Sequence, residues 1–408
     1  MKCYLYDLVN TRRVQLRKIL LAAIGIVFVL VLLAAMDRIS REKKQPPEEI
    51  PEGILVDRMP DNADIIFVSM RYVLRDLDCL DEDYNVKSNF LNDADCNRKI
   101  YNDELDVLAS PRQLYSLDVE TGEVVQLTNL ECDFSSSKPI DSTRIMAAGM
   151  CSDTDGDGVI STKDKPGIYL VDLGEKRVEC LTCELGLVSI NNPDYSRANG
   201  KIVFSAQWEK KFHNYLFSLD LDGTLVQITD SDEYMDFDCS WSEDGTKVVF
   251  SRLPVQDYPW EIPSQVWLMD ADGGNQEKIT DGGPNPDDEG PHGPYPIGID
   301  ADPDLSPDNS RIVFSRLKTG KMNEPFGVYE LVTVDVITGE TTVLDSSYAN
   351  MIPEWKEDGI LFIRQVGSKT DVMDRKQSMY TYRDGVFENL EPEHDVFPIG
   401  TNGASWLE

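Results

Sequence analysis

C-S-W-S-E-D-G-T-K-V-V-F-S-R (Cys239 to Arg252), followed after a short gap by Q-V-W-L-M-D-A-D-G-G-N-Q-E-K-I-T (Gln265 to Thr280), alternates turns and strands in a fixed order. Ser-Glu-Asp-Gly predicts a tight turn, because Asp and Gly tolerate the backbone angles such a turn demands. Val248 to Ser251 is β-branched and aromatic, the composition of a strand. Val266 to Asp270 alternates apolar and polar residues and predicts a second strand. Asp-Ala-Asp-Gly-Gly predicts another turn, and Gln276 to Thr280 a third strand.

The same order recurs. Copies of the middle strand are Gln113 to Gly122, Gly167 to Gly174, Tyr215 to Gly223, Gln265 to Gly273, Leu331 to Gly339 and Ser378 to Gly385. An Asp anchors five of them, at 118, 172, 220, 270 and 335, and Arg383 stands in its place in the sixth. Most copies follow a shorter motif: P-D-Y-S from Pro193, C-S-W-S from Cys239, P-D-L-S from Pro303 and P-E-W-K from Pro353. Steps of 48 to 65 residues with about four strands each read as propeller blades. No repeat carries a 3.6-residue apolar period, which excludes a helical solenoid. The expected fold is all-β, a six-bladed β-propeller over residues 63–408. The chain's last residues, Thr401 to Glu408, resemble the shorter motif, and the opening blade from Ala63 lacks that motif. The C-terminus is therefore expected to supply the missing strand, covering an edge that would otherwise be bare.

The W-S-x-D-G turn, the V-V-F-S strand, the L-M-D-A-D-G-G-N turn and the closing K-I-T-D resemble the TolB-type β-propeller repeat. The resemblance covers about Ala63 to Glu408. TolB itself carries a small α/β domain before its propeller. Asp37 to Asn62 is too short for that domain, so the resemblance is to the propeller.

The 408-residue chain has 39 basic and 73 acidic residues, a net charge of −34. Such a surface repels nucleic acid and anionic membrane. Ile19 to Met36 is free of charge and just long enough to span a bilayer. Residues 1–18 then form a cytoplasmic tail, 19–36 a single transmembrane anchor, and 37–62 a charged, Pro-bearing stalk. Lys2, Arg12, Arg13, Arg17 and Lys18 precede the span; Arg38, Arg41, Lys43 and Lys44 follow it. This leans toward a cytoplasmic N-terminus, with the propeller periplasmic or extracellular.

Seven of the eight cysteines lie beyond the span, which suits an oxidising compartment. Cys79 and Cys96 bracket one insertion and are expected to pair. Cys132 and Cys151 fall at facing ends of two antiparallel strands, where a bridge fits. Cys180 and Cys183 form C-x-x-C at a strand end; a local disulfide, a redox pair, or a zinc site with Cys132 and Cys151 are the readings open to it. Cys239 is the expected free thiol. An acidic insertion over 73–112 places Asp93, Asp95, Asn97 and Glu104 at calcium-loop spacing, without the glycine that should follow. The Gly- and Pro-rich stretch Asp281 to Pro303 reads as a long rim loop.

C-S-D-T-D-G-D-G-V-I-S-T-K-D-K-P, from Cys151 to Pro166, is the sharpest site signal. Calcium wants six to eight oxygens, supplied in an EF-hand-type loop from positions 1, 3, 5, 7, 9 and 12. Asp153, Asp155 and Asp157 fill the first three, Val159 offers a carbonyl, Ser161 serves at 9 and Asp164 at 12. Gly158 takes the sharp turn. The loop resembles those of dockerin and EF-hand proteins, except that strands rather than helices flank it and position 12 is Asp. A static structural clip for calcium is expected.

No catalytic residue is assigned. His213, His292 and His394 show no metal spacing, and there is no nucleophile elbow or phosphate-cradling loop. Three functions remain: a membrane-tethered scaffold for an extracytoplasmic protein partner, a binder or sensor of a small molecule or glycan in the propeller channel, and a glycan-cleaving hydrolase or lyase. Exposed aromatics clustered at one mouth, such as Tyr258, Trp260 and Tyr295, would favour ligand or partner binding, and converging His and carboxylates in a deep pocket an enzyme. Fold alone does not choose among them.

Overall fold

A computed structural model describes residues 52–70, 112–156, 160, 164–211, 213–255, 264–282, 299–319, 328–366, 376–390 and 402–407. Strands β1 (Gly53–Ile54), β2 (Ile65–Met70), β3 (Arg112–Leu117), β4 (Val124–Gln126) and β5 (Thr128–Asn129) open the chain. Then follow five complete blades. Blade 2 is β6 (Asp133–Pro139), β7 (Arg144–Met150), β8 (Gly167–Asp172) and β9 (Arg177–Cys180). Blade 3 is β10 (Leu187–Ser196), β11 (Lys201–Trp208), β12 (Tyr215–Asp220) and β13 (Leu225–Gln227). Blade 4 is β14 (Tyr234–Trp241), β15 (Lys247–Pro254), β16 (Gln265–Asp270) and β17 (Glu277–Lys278). Blade 5 is β18 (Asp300–Leu305), β19 (Arg311–Thr319), β20 (Val328–Asp335) and β21 (Thr341–Asp345). Blade 6 is β22 (Ala349–Lys356), β23 (Gly359–Val366), β24 (Lys376–Arg383) and β25 (Val386–Asn389), and β26 (Asn402–Trp406) ends the chain.

Each blade is a four-stranded antiparallel meander. Blade 1 has the order β26-β2-β3-β4, so its innermost strand comes from the C-terminus. Ile65 pairs with Trp406 and Ile66 with Ser405. The ring is closed by mixing both ends of the chain, as the A-S-W motif predicts. The six repeat copies are the third strands β3, β8, β12, β16, β20 and β24. The anchoring Asp caps the turn that follows: Asp118 Oδ1 accepts the Thr121 N–H at 2.8 Å, and Asp335 Oδ1 that of Thr338 at 2.8 Å. Gly245 closes the Ser-Glu-Asp-Gly turn at φ 65°, where Ser242 Oγ accepts the Thr246 N–H at 3.1 Å.

The core lies between blades. Second strands are buried on both faces, which explains their continuous apolar runs. Val248 and Phe250 face blade 3, and Val249 faces blade 5. The period of two along a strand makes this split. Phe67, Phe204, Phe250, Phe314 and Phe362 hold equivalent places and are all about fully buried. Burying each contributes roughly 2–3 kcal/mol.

Residues Glu52 to Asn62, expected as the end of a stalk, are docked. Gly53 and Ile54 pair with Asn129 and Thr128. Met59 is buried in the core between blades 1 and 2, and Lys176 Nζ donates to the Val56 carbonyl at 2.5 Å. Among the described residues no helix is long and apolar enough to cross a membrane. The expected span 19–36 lies outside them, as do residues 1–18 and 37–51.

Cys132–Cys151 and Cys180–Cys183 are disulfides, and Cys239 is free and buried. The four-cysteine zinc alternative is thereby overturned, since a bridged sulfur is no thiolate ligand. Cys79 and Cys96, and the acidic insertion with Asp93, Asp95, Asn97 and Glu104, lie outside the described residues.

Candidate functional site

The short motif preceding each repeat forms the innermost strand and lines the channel. Its second residue is Asp194, Ser240, Asp304, Glu354 and Ser405 in blades 3, 4, 5, 6 and 1; Lys138 completes the level from blade 2. These six are joined around the ring. Lys138 Nζ lies 3.4 Å from Asp194 Oδ1 and 2.9 Å from Glu354 Oε2. Asp194 Oδ2 accepts the Trp241 N–H of the next blade at 2.7 Å. The Ser240 hydroxyl donates to Asp304. Asp304 Oδ2 accepts the Trp355 N–H of the next blade at 2.6 Å, and the Ser405 hydroxyl donates to Glu354 at 2.6 Å. Lys138 reaches past blade 1 to Glu354, and so completes the circuit.

Electrostatics follow from this crowding. Burial works against the Lys138 charge, but Glu354, Asp194 and Asp304 outweigh it and hold its pKa above the usual lysine range. Burial pushes Asp304 up to about 7, against the pull of Lys356 and Lys138. One level along, Asp238 and Asp302 sit on left-handed backbone at φ 45° and 50°. Asn192 donates to Asp238 at 2.5 Å, and the Ile352 N–H donates to Asp302 at 3.3 Å. Burial, then the Asp238 charge, raises Asp302 to about 8. The ring splits the channel into cavities of about 50 and 80 Å³, room for a handful of waters.

The second site is the loop from β7 to β8. Asp153, Asp155 and Asp164 converge, each offering a carboxylate oxygen within 4.8 Å of the others. Asp164 is buried, the other two exposed. Asp164 Oδ1 accepts the Thr154 N–H at 2.5 Å and its hydroxyl at 3.0 Å. Asp153 Oδ1 accepts the Gly156 N–H at 2.6 Å. Positions 1, 3 and 12 of the expected set are therefore brought together. Three converging carboxylates are a donor set that fits a hard cation. Asp157, Val159 and Ser161 lie outside the described residues.

His292, Tyr258, Trp260 and Tyr295 lie outside the described residues too, as does His394. His213 stacks on Tyr215 at 6.4 Å, whose hydroxyl donates to Asp232 at 2.5 Å.

No family model and no curated protein matches the chain. Solved structures do. TolB from Acinetobacter baumannii superposes with a TM-score of 0.52 at 15% identity, covering 85% of this chain and 68% of that one. Hydrazine synthase from Kuenenia stuttgartiensis gives 0.53 at 13% identity, covering 86% of this chain and 47% of that one. Identities this low establish the shared propeller fold.

Proposed function

We propose that the chain is a membrane-tethered, extracytoplasmic scaffold that holds a protein partner on one face of its propeller. The observation that carries this reading is an asymmetry of the connections. Turns between first and second and between third and fourth strands are tight throughout, from Lys356 to Gly359 at the shortest. In an antiparallel meander the other connections leave from the opposite face. These include the gaps from Met70 to Arg112, Met150 to Gly167, Lys278 to Asp300 and Asn389 to Asn402. Long loops on a rigid frame are where binding is usually built. The tether rests on the apolar stretch 19–36, and calcium in the blade 2 loop would brace one element of that face.

A ligand in the channel is the weaker reading, because a solute there would have to break Lys138–Glu354 or Ser240–Asp304. The test is site-specific photo-crosslinking in the detergent-solubilised protein. A crosslinker at Glu184, Lys210 or Asp281 on the loop face should capture one discrete partner; at Glu175, Asp272 or Ile337 it should not. Equal capture from both faces, or none from the loop face, refutes the reading.

A further inference from the structure

Blade 2 carries both disulfides of the described residues, and both meet one side chain. The Tyr169 phenol oxygen accepts the Cys151 N–H at 3.2 Å. The same oxygen lies 3.9 Å from Cys183 Sγ. Tyr169 is also the cross-strand partner of Cys180. Cys180 Sγ sits over Gly167, where a Cβ would approach it to 3.1 Å. The two bridges differ in access. Cys183 is exposed, at the loop-bearing face, whereas Cys132 is 6% exposed in the core between blades 1 and 2. A soluble reductant meets Cys180–Cys183 first.

We propose that Cys180–Cys183 is a redox inlet that passes electrons to the buried Cys132–Cys151 bridge. A dithiol opens the inlet by thiol–disulfide exchange. The dithiol is oxidised to its own disulfide, and its two electrons and two protons end on Cys180 and Cys183. Cys183, as thiolate, then attacks Cys151 Sγ. A Cys151–Cys183 bond forms, the Cys132–Cys151 bond breaks, and Cys132 leaves as a thiolate that takes up the proton Cys183 gave away. Cys180, as thiolate, next attacks Cys183 Sγ, which restores Cys180–Cys183 and releases Cys151 as a thiol. The net transfer is two electrons and two protons from the dithiol to Cys132 and Cys151. The order of attack follows from exposure and from the shared contact at Tyr169. Its consequence is mechanical, since Cys132–Cys151 fastens the start of the loop that runs on from Ser152.

The experiment treats the full chain with graded dithiothreitol, quenches by alkylation and maps each cysteine by peptide mass spectrometry. Wild type should lose Cys132–Cys151 at least tenfold faster than the Cys180→Ser/Cys183→Ser double variant. The single variants sharpen the test. Cys180→Ser leaves Cys183 as a thiol and should accumulate a Cys151–Cys183 bridge with Cys132 free. Cys183→Ser should keep Cys132–Cys151. If the double variant is reduced at the wild-type rate, the inlet is not on the path. If the two single variants give the same bridges, whether through a folding defect or direct attack, the relay is equally overturned.

Discussion

Blades 4 and 2 fasten the same pair of strands at the same end by different chemistry. In blade 4, Arg252 on the second strand faces Asp236 on the inner one, with Nε–Oδ1 at 2.6 Å and both side chains buried. The guanidinium also lies over Tyr234 and Trp267, at 4.9 and 4.8 Å. Blade 5 repeats the clasp with Arg316 and Asp300 at 2.7 Å; blade 6 uses Arg364 donating to Asn350 and Asp345. In blade 2 the facing pair is Gly149 and Phe134. A Cβ on Gly149 would come within 2.4 Å of the Asp133 carbonyl, so the strands approach too closely for an arginine. Ala147 replaces the repeated phenylalanine, and Phe134 fills that space from the inner strand. Two residues further out, beyond the Asp133–Met150 pair, are Cys132 and Cys151, and their bridge takes over the fastening. In blade 2 a covalent link thus stands where blades 4 to 6 use an arginine.

Blade 1 is the extreme case, since its inner strand is held by no chain connection to its second strand. Deleting Asn402 to Glu408 removes the β2 partner and the Ser405–Glu354 link together. The expected loss is on the order of 5 kcal/mol or more, beyond the range of ordinary point changes. A truncated protein that melts unchanged in differential scanning calorimetry would show that the ring closes otherwise.

The clasps themselves come next. Arg252→Ala strands Asp236 in the interior and should cost about 3–5 kcal/mol in urea unfolding. Replacing Asp236 and Arg252 together by Leu and Met should cost much less, because it is the abandoned charge that is expensive. Cys132→Ser with Cys151→Ser should cost about 3 kcal/mol, for the lost constraint on the unfolded chain. A double apolar replacement as damaging as Arg252→Ala would mean that the clasp in blade 4 does more than satisfy its own charges.

These pairs separate what a sequence displays from what only a fold assembles. Turn chemistry is local, so S-E-D-G and the anchoring Asp could be read directly, and with them the blades and the ring closure. The second letters of the short motifs were visible as Asp194, Ser240, Asp304 and Glu354, but each finds its partner in another blade. Spacing along one chain cannot show a circuit around a ring. Lys138 was missed because blade 2 lacks the motif. Arg252 stood in plain view in V-F-S-R, yet its pairing depends on strand register. The acidic cluster was legible because its carboxylates fall within one short segment, of which Asp153, Asp155 and Asp164 are seen to converge.

The channel adds a pH-dependent contribution from the inner strand of blade 5. Asp302 is raised to about 8 and Asp304 to about 7, from 3.8. Asp302 faces Asp238 and the Ile352 N–H, with Tyr329 also beside the pair; Asp304 faces Lys356, Lys138, Glu354 and Asp194. Both carboxyls bind protons more tightly folded than unfolded, so stability falls as pH rises from near 4 to about 8. The melting temperature should therefore drop between pH 5 and 8.5, and Asp302→Asn should flatten that slope. Parallel profiles for wild type and variant would remove Asp302 as its source.

Calcium is the smallest effect expected and the one that most sharpens the contrast between blades 2 and 4. A cation held by Asp153, Asp155 and Asp164 would bind the folded state alone, because the unfolded chain does not bring position 12 to positions 1 and 3. Such binding adds stability as RT ln(1 + [L]/Kd). With a Kd of about 10⁻⁴ to 10⁻³ M, as in extracellular modules, roughly 5 mM calcium contributes about 1–2 kcal/mol. The gain should appear as a higher melting temperature in calcium than in chelator, and Asp153→Ala with Asp157→Ala should abolish it. The disulfide sharpens the measurement. Cys132–Cys151 holds the first residue of the loop, so the Cys132→Ser/Cys151→Ser variant must order more chain on binding and should gain less from calcium than wild type. Magnesium is a stricter control, since it demands near-octahedral geometry and dehydrates reluctantly, and it should give little of the gain. Identical melting in calcium and in chelator would leave blade 2 with one fastening, the disulfide, and its acidic loop as a solvated turn.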